Sequence, residues 1–183
     1  MRKNILKKLI TRPTTLIESF IEDVSIIEDL KRKIDKKIGP LSYKTNVRGE
    51  MSNWQDFLSE DSFRNVMRQN ENLWTSEYEE IGSYILVEAW GNKLKKNDFI
   101  EEHSHEPSVL SGIIYLTNNG PGTYFPEINH TITEEIGKTV LFESRLKHSV
   151  SKFTIDEFRY TISFNLDLPP NNFEKINKKY GNI

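Results

Sequence analysis

The amino-acid sequence predicts a mainly β protein with a helical buttress, in which helices pack on the outside of a jelly-roll or small β-barrel. Two observations indicate this fold class. The second half of the chain carries short apolar segments rich in β-branched and aromatic residues, which are typical of strands. The first half carries segments whose apolar residues recur every three to four positions, as in amphipathic helices. Because short, closely spaced strands follow a helical segment, we expect the helices to support the barrel.

The 183 residues suffice for one compact domain with a sizeable core. Within this single domain we predict a helical lead-in over 1–80 that packs on the barrel, a β-helix core over 81–170 and a C-terminal tail over 171–183. The first twelve residues contain five basic side chains and no acid. Their apolar stretches are too short for a signal peptide, so we interpret them as a solvated, partly ordered lead-in.

Two helices are predicted in the lead-in. A capping box formed by Ser25 and Glu28 marks the start of the first, and Gly39 and Pro40 mark its end. Between these signals the apolar residues recur at helical spacing, at Ile27, Leu30, Ile34 and Ile38. The second helix is predicted over 61–73, where Phe63, Val66 and Met67 share one side. We interpret both apolar stripes as core.

Four strands are predicted after the helices, separated by turn sequences rich in Asn, Gly, Pro and Asp. They cover residues 84–90, 111–116, 139–142 and 158–164. We further expect segments 148–153 and 158–163 to form a hairpin closed by the turn at 154–157. In one register of this hairpin Phe153 pairs with Phe158, and His148 pairs with Ser163.

The composition excludes several classes of function. The chain has no cysteine, which excludes disulfides, thiolate metal sites and cysteine nucleophiles and is consistent with a reducing compartment. Its net charge of −2 gives no electrostatic case for a nucleic-acid partner. No apolar run approaches the length of about 18 residues that a transmembrane helix needs. The nucleophile elbow of serine hydrolases and a phosphate-binding glycine loop are also absent.

Histidine supplies the first chemical signal. The chain contains only 4 histidines, and His103 and His105 stand two residues apart. In an extended segment such residues point to the same face, so both imidazoles would reach one site. Neutral imidazole is the commonest protein ligand of divalent first-row metals. The pair alone is a weak signal, because similar pairs occur on protein surfaces.

The second signal combines His148 with Arg159. In the expected hairpin they share a face and lie about 13 Å apart along the ladder. This separation suits a metal on the histidine, followed by a short dicarboxylate whose far end is held by the planar guanidinium. Thr161 on the same face adds a hydroxyl donor. Arg159 has an ordinary alternative, a strand arginine paired with a surface acid. His130 is interpreted as a surface or edge residue.

Taken in chain order, these segments resemble the iron(II)- and 2-oxoglutarate-dependent oxygenases, and within them a small branch that includes many phage and marine bacterial proteins. The similarity spans about 83–168, with a weaker similarity at 45–54. It is carried by a Trp-Gly-Asn segment, the His-x-His pair, a Ser-Gly-aliphatic strand, a glycine turn, the later histidine and an Arg-x-Thr-x-Ser-Phe-Asn strand, at residues 90–92, 103–105, 111–116, 122–125, 148 and 159–165.

The resemblance implies a double-stranded β-helix, which is a jelly-roll variant. It also implies an enzyme that hydroxylates an unactivated C–H bond while it converts 2-oxoglutarate to succinate. The implied cofactors are iron(II) and 2-oxoglutarate, with ascorbate as an accessory reductant. The substrate, a small molecule or a peptidyl group, is not identified by the sequence, and the oligomeric state is also left open. The expected location is the cytoplasm of a bacterium or of a phage-infected host cell.

The resemblance also assigns roles to particular residues. The metal ligands are His103, His105 and His148, which together with Arg159 form the catalytic set. Arg159 is expected to bind the distal carboxylate of 2-oxoglutarate. Secondary contacts to this cosubstrate are assigned to Thr161, Tyr115 and Asn92.

One position departs from the family pattern. Most of these oxygenases have Asp or Glu two residues after the first histidine, where this chain has His105. Two arrangements are open. Either three histidines hold the metal, which we favour, or His105 lies behind the ligands and a water or a nearby acid such as Glu101 completes the set.

Two other functions compete with this interpretation. A cupin-like metal enzyme would use the same barrel and a three-histidine site without 2-oxoglutarate. A non-catalytic jelly-roll would serve as a binding module, with the histidines grouped by chance. The role of Arg159 separates the first alternative from the oxygenase, and metal content separates the second.

Overall fold

The structure, a computed structural model, describes residues 7–11, 14–21, 23–41, 43–77 and 84–169. The predicted C-terminal tail over 171–183 and the first six residues lie outside this set. The described chain forms two antiparallel sheets and two α-helices, which confirms the predicted mainly β jelly-roll. Neither helix is long and apolar enough to cross a membrane.

The helices are α1 (Val24–Lys37) and α2 (Asp61–Glu77). Four strands precede or separate them, namely β1 (Lys7–Thr11), β2 (Thr14–Phe20), β3 (Val47–Arg48) and β4 (Glu50–Met51). The strands that follow α2 are β5 (Ile85–Leu94), β6 (Phe99–His103), β7 (Leu110–Tyr115), β8 (Thr123–Phe125), β9 (His130–Ile132), β10 (Lys138–Glu143), β11 (His148–Val150) and β12 (Arg159–Asp167).

The strands form a seven-stranded sheet in the order β1-β2-β10-β7-β12-β5-β4 and a five-stranded sheet in the order β3-β6-β11-β8-β9. All four strands predicted from the sequence are present, as β5, β7, β10 and β12, and all four belong to the seven-stranded sheet. The short strands of the five-stranded sheet carry fewer apolar residues, and this explains why the sequence signalled them weakly.

The two faces of the seven-stranded sheet have different partners. Tyr160, Ile162 and Phe164 of β12 belong to a core with the buried residues of both helices. Successive strand residues point to opposite faces, so the intervening residues of β12 face the space between the sheets. A second apolar core fills part of that space, and it includes Tyr115 of β7 and Phe125 of β8.

Both helices were predicted, but the start of α1 differs from the prediction. The N-cap is Asp23, whose carboxylate accepts the backbone N–H of Ser25 at 2.9 Å. Ser25 itself lies inside the first turn, so the capping box predicted with Glu28 is wrong. The predicted end is confirmed, because α1 stops at Lys37, just before the Gly-Pro pair.

The segment predicted as a helical lead-in also contains strands β1 to β4, which corrects that prediction. β2 pairs with β10 and places Leu16 opposite Phe142 and Ile17 opposite Leu141. Leu16 and Ile17 are both buried, one in each core. The basic residues that precede β2 suggested a solvated region, whereas burial of Leu16 and Ile17 fixes β2 on the sheet.

The expected hairpin between segments 148–153 and 158–163 is not formed. β11 pairs instead with β6 and β8, while both edges of β12 are occupied by β5 and β7. Phe153 is bound to the turn after β5, since it accepts the N–H of Asn97 at 2.7 Å and donates its own N–H to Asp98 at 2.8 Å. His148 and Arg159 therefore lie in different sheets.

Gly112 lies where two central strands, β7 and β12, pack closely. It lies opposite Phe164, and a Cβ atom at Gly112 would stand 2.1 Å from the Phe164 ring. We expect Gly112→Ala to lower the free energy of unfolding by about 1–3 kcal/mol, because the ring must move within a filled core. Denaturant unfolding measures this change. Gly39→Ala is the matched control, since its Cβ would meet no atom within 4 Å. Equal effects of the two substitutions would contradict the packing.

Candidate metal centre and its cavity

A cavity of about 500 Å³ lies between the two sheets and contains three of the four histidines in its wall. His103 is the last residue of β6 and lies directly opposite His148, the first residue of β11. His105 follows the end of β6, and its backbone N–H donates to the Ser144 carbonyl at 2.8 Å. The pairing of β6 with β11 positions His103 and His148, and the backbone contact with Ser144 positions His105.

The three imidazoles have the geometry of a metal site. One nitrogen from each of His103, His105 and His148 lies within 4.8 Å of the others, and no other such grouping of His, Asp or Glu occurs in the described ranges. Nδ1 of His103 lies 2.7 Å from the Glu101 carbonyl, and Nδ1 of His148 lies 3.0 Å from the Leu146 carbonyl. A carbonyl only accepts, so both Nδ1 atoms carry the proton and both Nε2 lone pairs are free for a metal.

The electrostatics of the site also suit a metal. Burial lowers the pKa of His148 to about 3, and nearby His103 adds to the shift. Burial is also the main cause that lowers the pKa of His105, followed by the other two histidines, and it lowers the pKa of His103. The three side chains are therefore neutral near pH 7, which is the form that binds a metal. The donor set fits a divalent first-row ion.

Two acids beside the histidines, Glu101 and Glu102, are engaged elsewhere. Glu101 forms a two-bond ion pair with Arg48, with the shorter contact at 2.8 Å. The Glu102 carboxylate lies 3.7 Å from the Lys147 ammonium. Neither carboxylate joins the three imidazoles, so the alternative in which Glu101 replaces His105 has no support in this geometry.

Arg159 lines the same cavity from the opposite sheet and is only 1 % exposed. Its Nε donates to Glu134 at 2.5 Å, and Glu134 also accepts the backbone N–H of Gly120 at 3.1 Å. The partner of Arg159 is thus a buried acid and not a surface one. No described residue accepts a hydrogen bond from its two terminal nitrogens, which leaves that edge of the guanidinium for a carboxylate ligand.

The predicted secondary contacts occupy different positions. Thr161 and Asn92 pair across β12 and β5, line the cavity and are hydrogen-bonded at 3.3 Å. Tyr115 lies behind the cavity wall, where its hydroxyl donates to Thr123 at 2.7 Å. Burial raises the pKa of Tyr115, so the phenol stays neutral. Thr123, and not Tyr115, is the residue that lines the cavity here.

Sequence reasoning missed Thr123 and Glu134. Thr123 belongs to β8, which the sequence signalled only as a turn. Glu134 lies 25 residues before Arg159, in a loop after β9, and no pattern distinguishes it from other acids. His130, the remaining histidine, begins β9 at the edge of the five-stranded sheet and lies outside the cavity lining.

Comparison with known proteins gives matches of structure and none of sequence. No family model matches the chain, and neither does any curated protein sequence. A viral collagen prolyl hydroxylase from Paramecium bursaria Chlorella virus-1, in complex with 2-oxoglutarate, matches with a TM-score of 0.65 and 15 % identity over 84 % of this chain and 94 % of that chain.

Two further structures extend this comparison. HygX from Streptomyces hygroscopicus, with nickel and 2-oxoglutarate bound, matches with a TM-score of 0.63 and 10 % identity over 88 % of this chain and 89 % of that chain. SnoN, a non-heme α-ketoglutarate-dependent epimerase of nogalamycin biosynthesis, matches with a TM-score of 0.59 and 15 % identity over 82 % and 76 %. The chain therefore has the jelly-roll fold found in 2-oxoglutarate-dependent oxygenases, which serves hydroxylation in one and epimerisation in another.

The lowered histidine pKa values predict a pH-dependent stability for the metal-free protein. His105 and His148 stay neutral when folded but titrate near pH 6.5 when unfolded, so protons favour the unfolded chain. We expect the free energy of unfolding to fall by about 3 kcal/mol between pH 6.5 and 5 from these two residues together. Denaturant unfolding at each pH measures the decline. His148→Gln should reduce the decline to about half, because His105 remains. An unfolding free energy that stays constant over this interval in the unaltered protein would contradict the burial of neutral imidazoles.

Proposed function

We propose that the protein is an iron(II)- and 2-oxoglutarate-dependent oxygenase that hydroxylates its substrate. One observation carries the proposal: three neutral imidazoles and a buried arginine with a free edge line one cavity, and they face it from opposite sheets. The first group suits a divalent metal and the second suits a carboxylate. The fold shared with oxygenases that bind 2-oxoglutarate supports the same assignment.

In this proposal iron(II) is held by His103, His105 and His148. His103 and His148 bind it through Nε2, because their carbonyl contacts assign the proton to Nδ1. When bound, iron supplies the activation of oxygen that couples decarboxylation of 2-oxoglutarate to oxidation of a C–H bond. Arg159 binds the distal carboxylate of 2-oxoglutarate, and Glu134 fixes the plane of its guanidinium through Nε. Thr123 and Thr161 also line this cavity.

The all-histidine set has an electrostatic consequence. Three neutral imidazoles leave the metal with one more positive charge than a set with two histidines and one carboxylate. This additional charge strengthens the attraction for an anionic ligand such as 2-oxoglutarate. Burial strengthens it further, because fewer waters screen the charges.

The role of Arg159 separates an oxygenase from a metal enzyme that does not use 2-oxoglutarate. We expect Arg159→Lys to weaken 2-oxoglutarate binding about 10-fold or more, because it keeps the charge but loses the planar two-bond contact. Calorimetry on the manganese-loaded protein measures the affinity, and succinate formation with iron(II) and oxygen measures turnover. Arg145→Lys is the control, since Arg145 is exposed and lies outside the cavity lining. Unchanged affinity in Arg159→Lys would exclude this role.

The role of His105 is tested by metal affinity. His105→Ala should weaken manganese(II) binding about 10-fold or more, whereas His105→Asp should bind tightly because it restores a carboxylate ligand. His130→Ala provides the matched control outside the cavity and should bind as the unaltered protein does. Full affinity in His105→Ala would show that His105 is no ligand.

A further inference from the structure

The cavity has a second end that the proposed function does not use. Alternate residues of β12 line it, from Arg159 through Thr161 and Ser163 to Asn165 and Asp167. Because an antiparallel strand rises about 3.4 Å per residue, Asn165 lies about 20 Å from Arg159 along the strand. We call the part of the cavity around Asn165 and Asp167 the outer end.

The outer end is acidic, and its acids have no cationic partner among the described residues. Glu88, Glu106 and Asp167 all line the cavity, and none of them forms an ion pair with a described residue. Apart from the three neutral histidines, the one basic side chain in the lining is Arg159, and Glu134 already neutralises it. Among the described residues, the cavity therefore has a neutralised ion pair at its inner end and carboxylates without an ion-pair partner at its outer end.

Glu88 is held in position by a buried polar chain. The amide nitrogen of Asn165 donates to one Glu88 oxygen at 2.7 Å, and the amide oxygen of Asn165 accepts the hydroxyl of Ser111 at 2.8 Å. Ser111 in turn shares a hydrogen bond of 2.7 Å with Ser144. Asn165, Ser111 and Ser144 are all buried. The chain orients one carboxylate oxygen and leaves the other available to a ligand.

An aromatic wall leads from the histidines to this carboxylate. The ring centroids of Trp90 and His105 lie 5.5 Å apart. Trp54 packs edge to face on Trp90, with ring centroids 4.7 Å apart. Tyr43 stacks on Trp54, with ring centroids 5.7 Å apart. Both tryptophans line the cavity, as Glu88 does. Aromatic faces next to a carboxylate form a favourable site for an organic cation.

Asn92 adds an independent sign that a hydrogen-bond donor belongs in the cavity. Its side chain lines the cavity and is only 2 % exposed. The amide nitrogen donates to Thr161 and Ser163, which lie between Arg159 and the outer end, but the amide oxygen has no hydrogen-bond partner among the described residues. A buried acceptor without a partner is costly, so a ligand that donates hydrogen bonds would stabilise it.

We infer that the outer end binds an organic cation, an aliphatic ammonium or guanidinium group carried by the substrate. The inference rests on the proposed function, because it makes this cavity the substrate site of the oxygenase. The cationic group donates to Glu88 and Asp167, and its carbon chain lies along Trp54 and Trp90. Glu88 and Trp90 are two residues apart on β5, so their side chains share a face and lie about 7 Å apart along the strand. The carbon presented to the histidines is therefore several bonds from the cationic nitrogen.

Binding to the manganese- and 2-oxoglutarate-loaded protein without oxygen tests the inference. The free-amine probes are 1,5-diaminopentane and agmatine, and 1,5-pentanediol is the neutral isostere. Peptides with a central lysine or arginine, compared with the same peptide carrying norleucine, distinguish a side chain from a free amine as the source of the cation. We expect the cations of at least one source to bind, measured by calorimetry, and their neutral counterparts to bind about 10-fold more weakly or not at all.

Matched variants connect this binding to the outer end. Glu88→Gln keeps an acceptor for Asn165 but removes the charge, so it should weaken cation binding about 10-fold and leave 2-oxoglutarate binding unchanged. The double variant Glu88→Gln with Asp167→Asn should weaken it further. Glu50→Gln, an exposed acid outside the cavity, should have no effect.

The outcomes separate the two proposals. If 2-oxoglutarate binds but no cation binds, if neutral isosteres bind equally well, or if Glu88→Gln binds cations at full affinity, the cation site is wrong and the oxygenase proposal stands. If 2-oxoglutarate does not bind to the metal-loaded protein, the oxygenase proposal fails. Charge-dependent cation binding would then still support the outer end as a cation site, but not as the substrate site of an oxygenase.

Discussion

The alternation of side chains along β12 is the constraint on which the rest of the structure depends. β12 lies inside the seven-stranded sheet between β7 and β5, so its backbone hydrogen bonds are satisfied on both edges. One set of its residues, including Ile162 and Phe164, fixes the helices to the outside of the sheet. The other set, from Arg159 to Asp167, supplies the polar floor of the cavity. A shift of one residue would exchange the two sets, so the same register determines the core and the site.

The buried Arg159–Glu134 pair shows how this arrangement tolerates a charge. A buried ion pair contributes little net stability, but removal of one partner typically costs about 3–5 kcal/mol because the other charge remains buried. Here the pair holds the guanidinium through Nε and leaves its other edge free. Its two charges also cancel, so the carboxylates of Glu88, Glu106 and Asp167 are the charges in the cavity lining that have no ion-pair partner among the described residues. The orientation of the Arg159 guanidinium at the inner end therefore depends on Glu134, whereas the negative charge at the outer end comes from other residues.

The sequence predicted the fold well where its signals were local. Short apolar segments rich in β-branched and aromatic residues indicated the four central strands, and helical spacing indicated both helices. Residue type and spacing singled out the His-x-His pair, which lines one cavity with His148 and Arg159. The hairpin spacing used for Arg159 was wrong, because β11 and β12 do not pair. The features that the sequence did not reveal depend on long-range pairing. The expected hairpin failed because β11 joins the other sheet, which no local pattern records. The contact of Glu134 with Arg159 joins residues that are far apart in the sequence. The hydrogen bonds that link Ser144, through Ser111 and Asn165, to Glu88 likewise form only when distant strands pair.

The most direct test of the central claim is a crystal structure of the protein with manganese(II) and 2-oxoglutarate, obtained without oxygen. The account predicts a metal bound by imidazole nitrogens of His103, His105 and His148, with the distal carboxylate of 2-oxoglutarate hydrogen-bonded to the free edge of Arg159. A metal held by other residues, or a 2-oxoglutarate whose carboxylate does not reach Arg159, would contradict the account.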